Sequence, residues 1–281
     1  MTDDERGGEA QWSDTLAEAW ERHRDRVFEA QRHVSEWLID QVDPQPGQTI
    51  LELAAGPGET GFLAATRVGP QGRLISTDVG PGMVEAARRG VAARGLGNVE
   101  CRLMDAQEID LPDSSVDGVL CRFGLMLMPD PARAVEGARR ILRPGGRLAY
   151  AVWGTPDRNP WIALMAGALR EHGHQPPGDP FAPGGLFSLA SSARNREVLD
   201  GAGCAGVKIE ELEGDMRFTD FEDYWSFQSQ LAGGIALMIS SLTAGAIDAV
   251  RATLEPRLAP FRQAGGYVIP SMAVAACGGS P

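Results

Sequence analysis

Between Thr49 and Gly154 the chain repeats one local pattern that leaves few folds open. Five short runs, "TILELA", "GRLISTDV", "NVECRLMDA", "SSVDGVLCRF" and "RLAYAVWG", have the length and apolar character of strands. Helical stretches, "ETGFLAATRV", "PGMVEAARRGVAARG" and "DPARAVEGARRILRPGG", fill three of the gaps between them. Strands alternating with helices of about 10 to 15 residues indicate parallel βαβ units. Right-handed crossovers then set helices on both faces of one sheet. The expectation is an α/β, doubly wound, mostly parallel sheet, with residues 44–154 as its ligand-binding core.

Flanking segments complete this plan. Residues 1–12, with Asp3, Asp4, Glu5 and Glu9 against Arg6, read as a disordered tail. Over 13–43 a single helix is expected: Thr15 and Glu18 make a capping box, and Leu16, Trp20, Val27, Val34, Leu38 and Val42 recur at helical spacing until Pro44. After Gly154 the rhythm changes. "NPWIALMAGALREHG" reads as a helix, and "HQPPGDPFAPGG" as a long loop, so residues 155–187 form a cap insertion. A helix and strand over 188–218 return to the core. Residues 219–263 read as a second, helical cap insertion, and 264–281 as a final core strand and tail, with Pro270 at a bulge or edge. Both insertions follow sheet strands and would roof a pocket.

A net charge of −12, with Lys208 the only lysine, repels a phosphate backbone, so nucleic acid is not an expected partner. No run approaches the roughly 18 apolar residues of a membrane span, so no membrane association is expected and the chain reads as cytoplasmic. Cys101, Cys121, Cys204 and Cys277 stand far apart without C-x-x-C pairing and read as free thiols. No metal is expected: His172 and His174 form an H-x-H without further ligands at matching spacing.

"ELAAGPGETG" holds a literal G-x-G-x-x-G in Gly56, Gly58 and Gly61, at the first βα turn, where open α/β sheets bind ligands. Glycines let backbone approach a ligand, and the helix that follows offers its N–H groups. Asp78, 20 residues after Gly58, stands where a carboxylate accepts ribose hydroxyls. NAD fits equally well to this point. Glu52, four residues before Gly56, gains nothing beside a pyrophosphate but suits a ligand with a positive end. Asp105, after the third strand, can accept from an exocyclic amine such as adenine N6.

The stretches "ILELAAGPGETG", "LISTDVGPGMVEAA", "MDAQEIDLPDSSVDGVLCRFGLMLMPDPARAV" and "RRILRPGGRLAYAVW" follow in this order over residues 48 to 153. Together they resemble the class I S-adenosylmethionine-dependent methyltransferases, and more closely the branch that includes quinone-biosynthesis methyltransferases. The resemblance implies a Rossmann-like sheet of seven strands, the last antiparallel, and S-adenosylmethionine as cofactor. It implies that Glu52, Gly56 and Gly58 surround the methionine portion, Asp78 binds the ribose, Met83 packs on adenine, and Asp105 with Ala106 fixes its amine edge. Arg122 and Phe123 would face the reacting end. The helix with Trp20 resembles a segment that folds over the cofactor. Related sequences often place His near the "LMLMPD" loop, where this chain has Met126 and Met128.

Methyl transfer from a sulfonium is an in-line displacement that needs alignment and exclusion of water, not a protein nucleophile. Where a base helps, His172 and His174 are the candidates, whereas His23 and His33 read as a solvated helix face. Trp20, Trp153, Trp161, Phe187, Tyr224 and Trp225, with Phe181 and Phe227 nearby, are candidates to line a pocket. The expected substrate is a small hydrophobic molecule, methylated on oxygen or carbon rather than nitrogen, and a homodimer is compatible with this plan. The alternatives are an NAD-dependent oxidoreductase and a cofactor-binding module without transferase activity.

Overall fold

The computed structural model describes residues 14–175, 178–231 and 233–281; the tail expected over 1–12 lies outside them. Helices α1 (Asp14–Arg22), α2 (Arg24–Ala30) and α3 (Arg32–Val42) lead into β1 (Thr49–Glu52), α4 (Glu59–Val68), β2 (Arg73–Asp78), α5 (Pro81–Arg94) and β3 (Val99–Leu103). Next come β4 (Val116–Arg122), α6 (Pro131–Ile141), β5 (Leu142–Trp153), α7 (Pro160–Glu171), α8 (Ser192–Gly201) and β6 (Ala205–Phe218). Helices α9 (Phe221–Leu231), α10 (Gly234–Ser240) and α11 (Ala244–Leu258) precede β7 (Arg262–Gln263) and β8 (Gly266–Gly279).

One sheet runs β3-β2-β1-β4-β5-β8-β6, with the two-residue β7 on β8 as an eighth strand. Strands β1 to β5 pair in parallel, and β8 is antiparallel to both β5 and β6. Strand order reverses between β1 and β4, which opens a crevice at their carboxyl ends. A dinucleotide-binding sheet runs 3-2-1-4-5-6. Here β8 is interposed between β5 and β6, a different arrangement. Each sheet face carries its own core: α3 and α4 bury Leu38, Ile39, Phe62 and Val68 on one side, while α6, α7, α9 and α11 bury Val135, Met165, Tyr224 and Leu254 on the other.

Several boundaries depart from expectation. The single N-terminal helix is three: His23 (φ −102°, ψ 9°) and Gln31 (φ −121°, ψ 21°) leave helical geometry. The bends let the segments wrap a corner, α1 on α5 and α9, α2 on β6, and α3 across β4, β5 and β8. Helix α1 begins at Asp14, so Thr15 stands inside it rather than at its cap. Helix α6 stops at Ile141, because Arg143 precedes Pro144 and is steered to extended backbone. "RPGG" then becomes a bulge in β5, with Val116 opposite Leu142 and Gly118 opposite Arg147. Pro270 lies in a central strand, but it faces Asp215 of β6 at a level beyond the β5–β8 pairing, which ends at Trp153 and Ala273. Its missing N–H therefore breaks no bond to β5.

Candidate active site

After β1 the chain turns through Ala54 at φ 48°, Gly56 at 55° and Gly58 at 92°, all left-handed. Phe123, just past β4, is likewise at φ 58°. For a residue with a side chain this conformation costs of order 1 kcal/mol and persists only where the surroundings enforce it. The two strained turns touch, since a Cβ on Gly124 would collide with the Ala54 methyl. Both flank the crevice.

Asp78 closes this corner. Its Oδ2 accepts the Gly56 N–H at 2.8 Å and its Oδ1 the Gly80 N–H at 2.9 Å. Burial pushes the carboxyl up, and these backbone N–H groups oppose that shift. Each oxygen keeps acceptor capacity for a ligand hydroxyl. Beside it, Val79 is an apolar side chain left 56% exposed. Met83 is buried in the first turn of α5. Across the ladder Asp105 is exposed and turns its Oδ1 back to the Gln107 N–H at 2.8 Å, while Ala106 is buried.

Glu52 lies beneath α4. Its Oε1 accepts the Gly61 N–H at 2.7 Å, and the Ser76 hydroxyl donates to Oε2 at 3.3 Å. A Cβ on Gly61 would sit 2.7 Å from the Glu52 Cδ, so the third glycine of the motif makes room for this carboxyl. Burial raises the group to about 8, against the Gly61 N–H, the Arg122 charge and Ser76, so at neutral pH it is mainly the uncharged acid. Burial likewise lowers Arg122, while Glu52 and Glu59 raise it, and its Nη1 is shut off from water without a partner. Glu59 is pushed up by burial but held by Arg94 at 2.7 Å and Arg24 at 3.5 Å.

The N-terminal segments tie α5 and α9 together. Arg24 donates to the Ala86 carbonyl of α5 at 3.2 Å, and Glu21 pairs with Arg89 at 2.5 Å. On the other flank Arg26 pairs with Asp223 at 2.5 Å, stacks over Phe218 and Phe227, and His23 Nε2 meets Gln230 Oε1 at 3.2 Å. Gln230 gives its Nε2 hydrogen to Ser226, so its Oε1 accepts and His23 donates. Trp20 is half-buried with an unpartnered indole N–H.

Above β4 and β5 stands a row of rings. Phe123 stacks on Trp153 at 4.0 Å and 13°, Trp153 meets Trp161 edge-on at 5.1 Å, and Trp161 meets Phe227 at 6.2 Å. Phe218 packs on both Phe227 and Tyr224. The Met126 sulfur accepts the Trp153 N–H at 3.3 Å, and the Ser188 hydroxyl caps the Met126 carbonyl at 2.7 Å, which brings the 178–190 loop onto the row.

Of the residues singled out in the sequence, Glu52, Gly56, Gly58, Asp78 and Met83 share the corner, and Arg122 and Phe123 join it to the rings. Trp153, Trp161 and Tyr224 belong to the row; Phe187 is buried against Phe181, whose own ring is 55% exposed. Trp225 does not join them. Its ring lies under Arg251 of α11, on the other side of α9. His172 is exposed at the far end of α7, bonded to Thr253 at 2.8 Å and roughly 16 Å of helical rise from Trp161. His174 is two residues further, so neither is brought to the rings; His23, read as solvated, is the histidine tied to the cap. Sequence reading gave no site role to Val79 or Gln228 and noted Met126 only where relatives often place His; Met126 and Gln228 meet Trp153 and Trp161, partners distant in the chain.

A model described as a methyltransferase domain matches residues 50–146. The nocamycin O-methyltransferase of Saccharothrix syringae is 42% identical over 118 residues, 42% of this chain and 42% of that protein. The ubiquinone/menaquinone biosynthesis C-methyltransferase UbiE of Teredinibacter turnerae is 32% identical over 124 residues, 44% and 50% of the two chains. The chain spans about a third to a half of the length of the curated relatives it matches first. In fold it resembles the YcgJ protein from Bacillus subtilis, with a TM-score of 0.60 over 89% of this chain and 99% of that one at 18% identity. Among the described residues no helix is long and apolar enough to cross a membrane. Over residues 50–146 the chain matches a methyltransferase domain, and the strand order and glycine corner of that span agree with the match.

Proposed function

We propose that the protein transfers the methyl group of S-adenosylmethionine to a small, apolar organic acceptor, on oxygen or carbon. The observation that carries the acceptor reading is the ring row, which begins at the ends of β4 and β5 beside the glycine corner and runs into the cap. Preference for oxygen or carbon rests on relatives named for those reactions.

The corner fits this cofactor. A Cβ at Gly56 would meet nothing within 4 Å, so the turn leaves room on the ligand side. Asp78 has lone pairs for the ribose hydroxyls, Val79 and Met83 offer apolar surface to adenine, and Asp105 with Ala106 stands at its amine edge. Glu52 supports the turn from below, and the unpaired Arg122 Nη1 suits the carboxylate of the amino-acid end. When bound, the cofactor supplies an activated methyl on a sulfonium whose charge disperses as it leaves. Phe123 and Trp153 keep water from that carbon and set the acceptor in line, the terms that dominate such a displacement.

Incubation with methyl-labelled cofactor and a panel of phenols, enols, amines, peptides and RNA tests the reading. Label is expected in small apolar phenols or enols. Label confined to peptides or RNA overturns the acceptor class, and tight cofactor binding with no product in any class favours a binding module.

A further inference from the structure

We propose that the side-chain carbonyl of Gln228 selects acceptors that carry an O–H or N–H, by accepting a hydrogen bond from that group inside the ring-lined cap. The inference deepens the transferase reading and rests on it.

Gln228 is fully buried on α9, between Tyr224, Phe227 and Leu231 of the same apolar face. Its Nε2 donates to the Trp161 carbonyl at 2.6 Å, and the Tyr224 hydroxyl donates to the same oxygen at 2.7 Å. These two bonds fix the amide's orientation. Turning it over would set Gln228 Oε1 against a carbonyl oxygen, two acceptors in contact with no hydrogen between them. Oε1 therefore points away from Trp161, and it is sealed from water with no partner.

A buried acceptor left unpaired is destabilising unless something else completes it. Asn195 shows the contrast: its Oδ1 is also unpaired, but its amide binds the carbonyls of Leu189 and Ser191 and serves that turn. Gln228 serves no turn of its own. It bonds the backbone of Trp161, whose ring stands between Trp153 and Phe227 in the row that starts at the cofactor corner. A planar apolar acceptor that inserts beside Trp161 with an O–H or N–H directed at this oxygen would complete it, and a site built around such a group discriminates against analogues that lack the donor.

Calorimetric titration of S-adenosylhomocysteine-saturated protein with 2-naphthol and 2-methoxynaphthalene tests this without turnover. The wild-type chain should bind 2-naphthol about tenfold more tightly, although the ether is the more apolar compound. Gln228→Met, of similar length but without the carbonyl, should abolish the preference and leave S-adenosylhomocysteine affinity unchanged. Equal affinity of the wild-type chain for the two compounds overturns the proposal whether or not the variant folds. So does a preference that survives Gln228→Met. Failure of the wild-type chain to bind S-adenosylhomocysteine instead removes the transferase reading on which the proposal stands.

Discussion

At the end of β1 the chain builds with backbone: left-handed turns at Ala54, Gly56 and Gly58, and N–H groups given to Asp78 and Glu52. Above β5 it builds with rings, from Phe123 through Trp153 and Trp161 to Phe227. The first region tolerates few residue types at each position, because a Cβ or a lost carboxylate changes the path of the chain. The second tolerates many, because different apolar side chains can fill one volume. A corner of the first kind suits a ligand that does not vary, and a roof of the second kind suits one that does.

Gly61→Ala gives the largest expected effect. Its methyl would press on Glu52 and on Leu74 at 2.9 Å, and overpacking of this kind costs about 3 kcal/mol of stability in urea unfolding. Adding Glu52→Ala should recover much of that loss; if it does not, Glu52 is not what the glycine accommodates. Asp78→Ala should weaken S-adenosylhomocysteine binding by about 1 to 3 kcal/mol in calorimetry, through lost charge-assisted hydrogen bonds. Unchanged affinity would place the ribose elsewhere. On the other side of the comparison, Trp153→Leu removes two ring pairs, with Phe123 and Trp161, each worth about 1 kcal/mol beyond its area. It should raise acceptor KM while cofactor affinity stays put, and a joint loss of both would merge the two regions into one.

The last effect is a change of slope with pH rather than a single shift. Glu52 ordinarily titrates near 4.5 and is held at about 8 in the fold, so between these values the folded chain keeps a proton that the unfolded chain has released. Its contribution to stability is complete at low pH and is lost as pH rises across that window. Glu52→Gln retains an oxygen for the Gly61 N–H, and its Tm should fall less than that of the wild-type chain from pH 5 to about 8. Parallel Tm curves for the two proteins would show that Glu52 is charged.

The same contrast explains what could be read from the sequence. Glycines at Gly56 and Gly58, a carboxylate at Asp78 and strand–helix alternation are local statements, since conformation or chain order alone demands them. The interposed β8 was legible as an antiparallel strand only through resemblance. Breaks at His23 and Gln31 were not legible, because the helical period continues through them and only packing against α5, α9 and β6 bends the chain. In the roof, ring content was visible but facing was not: Tyr224 and Trp225 are adjacent, yet a helix turns them about 100° apart and gives one to the row and the other to Arg251. Gln228 looked like any polar residue until its amide was seen anchored to Trp161.

Strand β8 follows every other strand in the chain but lies between two of them. Until residues 266–279 arrive, β5 and β6 each present an open edge, and the slot between them is bridged by a long helical excursion. Pairings this distant form late and slowly, and the exposed ladders invite association with other chains in the meantime. Yield on refolding should therefore depend more on protein concentration than the stability of the finished fold suggests.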